Sequence, residues 1–68
     1  MTFYEWLMKQ TKRDDVVGDL AQDARRDKNF PKHATNLTQL RNHLTANGAG
    51  NPALRALREA YAEWSRSK

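Results

Sequence analysis

Cysteine is absent from this chain of 68 residues. Disulfides and thiolate metal sites are thereby excluded, and the absence is compatible with a reducing cytosol. Long apolar runs are also missing: nothing approaches the ~20 residues of a membrane span. The opening residues Met1-Thr2-Phe3-Tyr4-Glu5-Trp6 show no basic region followed by an apolar stretch, so a cytoplasmic location is expected rather than export. Nucleophiles are scarce, since the serines are Ser65 and Ser67, at the end of the chain. The histidines are His33 and His43, at a separation that matches no metal-ligand spacing. The glycines Gly18, Gly48 and Gly50 form no phosphate-cradling motif. The expectation is a non-enzyme with no catalytic residue, no metal and no cofactor.

Acid is missing from one long stretch. Residues 28–58 contain Lys28, Lys32, Arg41, Arg55 and Arg58 and no Asp or Glu. Residues 14–27 are the reverse, with five aspartates against Arg25 and Arg26, a local net of −3. The formal charge of +4 is therefore segregated along the chain. Such segregation steers an anionic partner such as nucleic acid toward the basic half, or sets two surfaces up for complementary protein contact.

What is present is helical periodicity. Thr2 with Glu5 three residues later forms a capping box. After it, Phe3, Tyr4, Trp6, Leu7 and Met8 cover about 200° of a helical wheel. Such a helix either runs through a core or presents a contact surface. A second helix starts near Asp14 or Asp15, with Val16, Val17, Leu20, Ala21 and Ala24 as its apolar stripe. Beside the stripe run Asp15, Asp19, Asp23 and Asp27 at four-residue spacing. They read as a solvated face salted by Arg25 and Arg26, or as a strip for a cationic surface.

Pro31 forbids helix through residues 28–34, and it pushes Phe30 toward an extended conformation. Phe30 is expected to plug one end of the bundle. Asp27 is expected to sit unfavourably at the negative end of the second helix. A third helix begins near Thr35 or Asn36, carries Leu37, Leu40 and Leu44, and stops at Asn47-Gly48. In the fourth, Asn51 is expected to cap and Pro52 to take the first position. Leu54, Leu57, Tyr61 and Trp64 then share an arc, flanked by Ala53, Ala56 and Ala60 that admit a close helix neighbour. Residues 65–68 are expected to fray.

The expected fold is all-α: one domain over residues 1–68, a compact four-helix bundle with room for an extra short helix. About 60% burial at this size makes the core thin. Its expected members are Phe3, Leu7, Val17, Leu20, Ala24, Phe30, Leu37, Leu40, Leu44, Leu54, Leu57, Tyr61 and Trp64.

The opening Phe3-Tyr4 with Trp6-Leu7-Met8, Leu20-Ala21 with Ala24, Asp27, Phe30-Pro31-Lys32, Leu44 and the closing Ala60-Tyr61 with Trp64 form a wider pattern. It resembles the YozE-like family, small bacterial domains with a sterile-alpha-motif-like (SAM-like) helical fold. The resemblance covers nearly the whole chain. The second helix departs from the pattern by its acidity, and the third by lacking aromatic and acidic residues. The resemblance implies a compact binding module and brings no catalytic site with it.

The functional expectation is a bacterial or phage interaction module that binds a protein partner as adaptor, regulator or inhibitor, or associates with itself head to tail. Asp15, Asp19 and Asp23 would form an acidic face. Lys28, Lys32, His33, Arg41, Arg55 and Arg58 would form a basic one, with Tyr4 and Trp6 as aromatic anchors. The alternative is DNA or RNA binding through the basic loop and the third and fourth helices. No membrane or small-molecule partner is expected.

Overall fold

The computed structural model describes residues 1–67 and contains four helices: α1 (Phe3–Met8), α2 (Val16–Arg26), α3 (Leu37–Ala46) and α4 (Asn51–Arg66). Among the described residues there is no strand and no extra helix. α4 is the hub. It packs against α1, α2 and α3, while α1 also meets α2; α3 has only α4 as a helix neighbour among the described residues.

Each start follows from local chemistry. The capping box at Thr2 is complete: its hydroxyl accepts from the Glu5 N–H, and the Glu5 carboxylate accepts from the Thr2 N–H. Asp15 caps α2 by accepting from the Gly18 N–H at 3.0 Å. Asn36 caps α3 by accepting from Gln39 N–H at 2.9 Å. At the far end of α3 the Ala49 N–H donates to Leu44 C=O and the Gly48 N–H to Thr45 C=O, a Schellman closure. It requires Gly48 at φ +80°, a left-handed conformation open to a residue without Cβ.

Two boundaries differ from expectation. Gly50, not Asn51, is the N-cap of α4, and no side chain caps it. Pro52 thus lies one position further in. Every N–H in a helix's first turn lacks an internal acceptor, so proline marks the turn without fixing the residue. At the other end Ser65 and Arg66 are helical and Ser67 closes the helix, its Oγ–H donating to Trp64 C=O at 2.9 Å. Next to that end Trp64 is buried against Phe3, and its indole N–H donates to Met1 C=O. Lys68 lies outside the described residues.

The core comprises Phe3, Leu7, Val17, Leu20, Ala21, Ala24, Phe30, Leu40, Ala56, Leu57, Ala60 and Trp64. Leu37, Leu44, Leu54 and Tyr61, expected inside, are only half-buried. Ala21, Ala56 and Ala60 are fully enclosed instead. Ala56 and Ala60 lie on α4, which packs against three helices, and Ala21 on α2, which packs against α1 and α4. Val16, assigned to the α2 stripe, is 48% exposed.

Phe30 does plug the bundle. It is 4% exposed, with Tyr4 and His43 rings at 5.5 and 5.6 Å. The α1 aromatics pack inward: Trp6 tilts against Phe3 at 6.0 Å, and Tyr4 carries Lys32 Nζ at 5.6 Å above its ring. That cation–π contact contributes about 0.5–1 kcal/mol at an exposed position.

Candidate interaction grooves

The charged side chains fall into three sets. The first is internal bracing. Arg13, on the α1–α2 turn, donates to both Glu63 oxygens at 2.8 and 3.2 Å and to Asp15 Oδ2 at 2.7 Å. Across 50 residues it ties that turn to α4. The Arg13 guanidinium holds the Glu63 carboxyl below the usual range. The Gly18 N–H, and then Arg13, lower the Asp15 carboxyl in the same way. Asp27 is braced too. His43 Nε2 lies 2.6 Å from its Oδ2, and the Asn29 N–H donates to its Oδ1 at 2.9 Å. The His43 hydrogen bond, followed by the Asn29 one, depresses its pKa. Asp27 is therefore not the uncompensated acid at a helix end that sequence reasoning expected, because the plug loop brings a partner from α3.

The second set surrounds a groove of about 390 Å³ between α3 and α4. Leu37, Leu54 and Leu57 supply apolar lining, and Arg41, Arg55, Arg58 and Asn51 the polar one. Each arginine is exposed, and none forms an ion pair or side-chain hydrogen bond among the described residues. No acid lines the groove. The start of α4, uncapped by any side chain, reaches it at Asn51 and adds the positive end of a helix dipole.

The third set lies on the other side of α4. Val16, Asp19, Leu20 and Asp23 of α2 line a smaller groove, about 190 Å³, with Pro52, Ala53 and Ala56. Asp19 has no ion pair among the described residues, and Asp23 has only a 3.9 Å approach to Arg26, with both side chains three-quarters exposed. A contact of that kind contributes little.

Sequence and structure overlap in part. Arg41, Arg55 and Arg58 converge on one groove, and Asp19 and Asp23 on another. Asp15 and Asp27 leave the acidic strip, because both are helix caps with internal partners. Lys28, Lys32 and His33 remain exposed on the 27–36 connection and line neither groove. Tyr4 and Trp6 pack against the core, away from both grooves. The pairings of Arg13 with Glu63 and of His43 with Asp27 are not legible in the sequence, and only long-range contact reveals them. The leucines lining the basic groove do carry a signal: Leu37 shares α3 with Arg41, and Leu54 and Leu57 share α4 with Arg55 and Arg58.

The sequence model of the YozE SAM-like fold matches residues 2–66. The chain belongs to the YozE SAM-like family. No curated protein and no solved structure matches it. The small four-helix bundle is the family's SAM-like fold, whose surfaces carry function independently of the scaffold. In this YozE SAM-like chain no three His, Cys, Asp or Glu side chains gather into a metal set among the described residues. No described helix is long and apolar enough to cross a membrane.

Proposed function

We propose that this YozE SAM-like chain is a non-catalytic interaction module that binds a protein partner through the groove between α3 and α4. The observation that carries the reading is the pairing of an apolar lining with three arginines that form no ion pair among the described residues. Half-buried Leu37 and Leu54 favour an apolar side chain from a partner, and Arg41, Arg55 and Arg58 favour carboxylates around it. Arginine suits such a site because its planar fork meets a carboxylate bidentately and is weakly hydrated. A partner that excludes water from this patch would make Arg55 and Arg58 the energetically dominant contacts.

Nucleic acid is the weaker reading on this geometry. The acid-free stretch 28–58 supplies cations, yet no aromatic lines the groove for base stacking. The carboxylates of Asp19 and Asp23, on α2, stand across α4 from the groove.

The test is capture from the native cell with nuclease-treated and untreated lysate, using the wild-type chain and an Arg55→Glu/Arg58→Glu variant. The expected result is a protein retained after nuclease treatment and lost with the variant. Capture that vanishes on nuclease treatment, with a random-duplex gel shift that weakens steeply with salt, would replace this reading by the nucleic-acid one.

A further inference from the structure

We infer that the groove's occupant is the Val16–Asp19–Asp23 face of α2 from a second copy of the same chain. The inference rests on the groove being a protein-docking site, as proposed above, and specifies what docks there. At 100° per residue, Val16, Asp19 and Asp23 fall within a 60° arc, so one face of α2 presents an apolar side chain beside two carboxylates. The groove asks for that combination. Met1 and Val16 are the exposed large apolar side chains among the described residues, and Val16 is the one set beside acids.

Spacing agrees as well. Asp19 and Asp23 are about 6 Å apart along their helix, and Arg55 and Arg58 about 4.5 Å along theirs, within reach of flexible guanidinium side chains. Each set can pair outward: Asp19, Arg55 and Arg58 form no ion pair among the described residues, and Asp23 has only its exposed 3.9 Å contact with Arg26.

The two surfaces cannot meet inside one copy. On the α4 wheel, Pro52, Ala53 and Ala56 of the acidic groove lie about 180° from the mean direction of Asn51, Leu54, Arg55, Leu57 and Arg58 of the basic groove. Docking is therefore heterologous. Each contact leaves a free acidic face at one end and a free groove at the other, so association propagates as an open chain. Complementary charge also makes the contact salt-sensitive.

Sedimentation of the wild-type chain from about 10 µM to about 1 mM at low salt should show a mass rising through dimer to larger species, reversed by high salt. Asp19→Lys/Asp23→Lys and Arg55→Glu/Arg58→Glu should each stay monomeric with unchanged circular dichroism, because all four positions are exposed. Mixed one to one, they should form a species of two chains and nothing larger: the first retains the groove and the second the acidic face. Reversing Lys9 and Lys12, which line neither groove, should leave wild-type association intact. A wild-type monomer over the whole range overturns the inference, as does a mixture that fails to dimerise or a Lys9/Lys12 reversal that is equally disruptive. If the chain stays monomeric while nuclease-resistant capture still depends on Arg55 and Arg58, the groove reading stands and its assigned occupant is wrong.

Discussion

Replacing Gly18 by alanine tests how the Arg13–Asp15 turn is held against α2. On an open helix face this substitution stabilises, because alanine exceeds glycine by about 0.8–1 kcal/mol in helix propensity. Here the space is taken. A Cβ at Gly18 would lie 1.9 Å from the Arg13 carbonyl oxygen and 2.7 Å from its carbon. An unstrained carbon–oxygen approach is about 3.3 Å, so the turn must retreat by about 1.4 Å. It is not free to do so. Arg13 is clamped to Glu63 and Asp15, and Asp15 holds the Gly18 N–H. Overpacking of this kind costs about 1–3 kcal/mol, and disturbing the Asp15 cap adds about 0.5–2 kcal/mol. Set against the propensity gain, the net is a loss of about 0.5–4 kcal/mol. With an unfolding entropy of about 2.1 cal/mol/K per residue, each kcal/mol lowers Tm by about 7 °C in a chain of this size. Thermal melting followed by far-UV circular dichroism should thus place Gly18→Ala about 4–28 °C below wild type. An equal or higher Tm would refute the clamp.

Phe30→Ala should destabilise by about 3–5 kcal/mol in urea denaturation, which approaches the whole stability of a domain this small; a loss under about 1 kcal/mol would mean that the ring does not plug the bundle. Thr2→Ala should cost about 1 kcal/mol by opening the capping box, and an unchanged urea midpoint would show that α1 is held by packing alone. Acid should unfold the chain through its braced carboxylates. Asp27 is depressed by His43, Asp15 by the Gly18 N–H, Glu63 by Arg13 and Glu5 by the Thr2 N–H. A carboxyl with a lower folded than unfolded pKa stabilises fully above the unfolded value and loses that contribution as pH falls below about 4. Melts from about pH 6 to about pH 2 should show Tm falling on the acid side, less steeply in Asp27→Asn. A flat profile would contradict the pairing seen at Asp27.

Much of the fold is legible in local pattern. Thr2 with Glu5, the aspartate before Val16, Asn36 and Asn47-Gly48 mark helix ends because capping depends on residues only a few positions apart. Phe30 could be placed inside because Pro31 forbids helix there and an aromatic ring has few other refuges in a small chain. The core was less legible on α4. Periodicity assigns Leu54 and Tyr61 inward equally with Leu57 and sets Ala56 and Ala60 beside that arc, whereas the fold buries both alanines and leaves Leu54 and Tyr61 half-buried. The candidate site was legible as composition, not as geometry. Sequence reasoning placed six basic residues on one face; the fold gathers Arg41, Arg55 and Arg58 and leaves Lys28, Lys32 and His33 on the loop.

The order of residues alone settled that this chain is helical, where most of its helices start and stop, that a proline-bearing bend carries a buried ring, and that opposite charges occupy different stretches. All of these arise from interactions within a few residues or from composition. The tertiary structure alone decided which charges are already spent. Arg13 finds Glu63 and His43 finds Asp27 only when α1–α2 meets α4 and α3 closes over the plug. Those pairings remove Asp15 and Asp27 from the acidic strip and leave Asp19 and Asp23 facing outward on one flank of α4, with three arginines on the other. The physical reason is distance: a charge's partner is set by proximity in space, and separations of 16 or 50 residues along the chain give no hint of it.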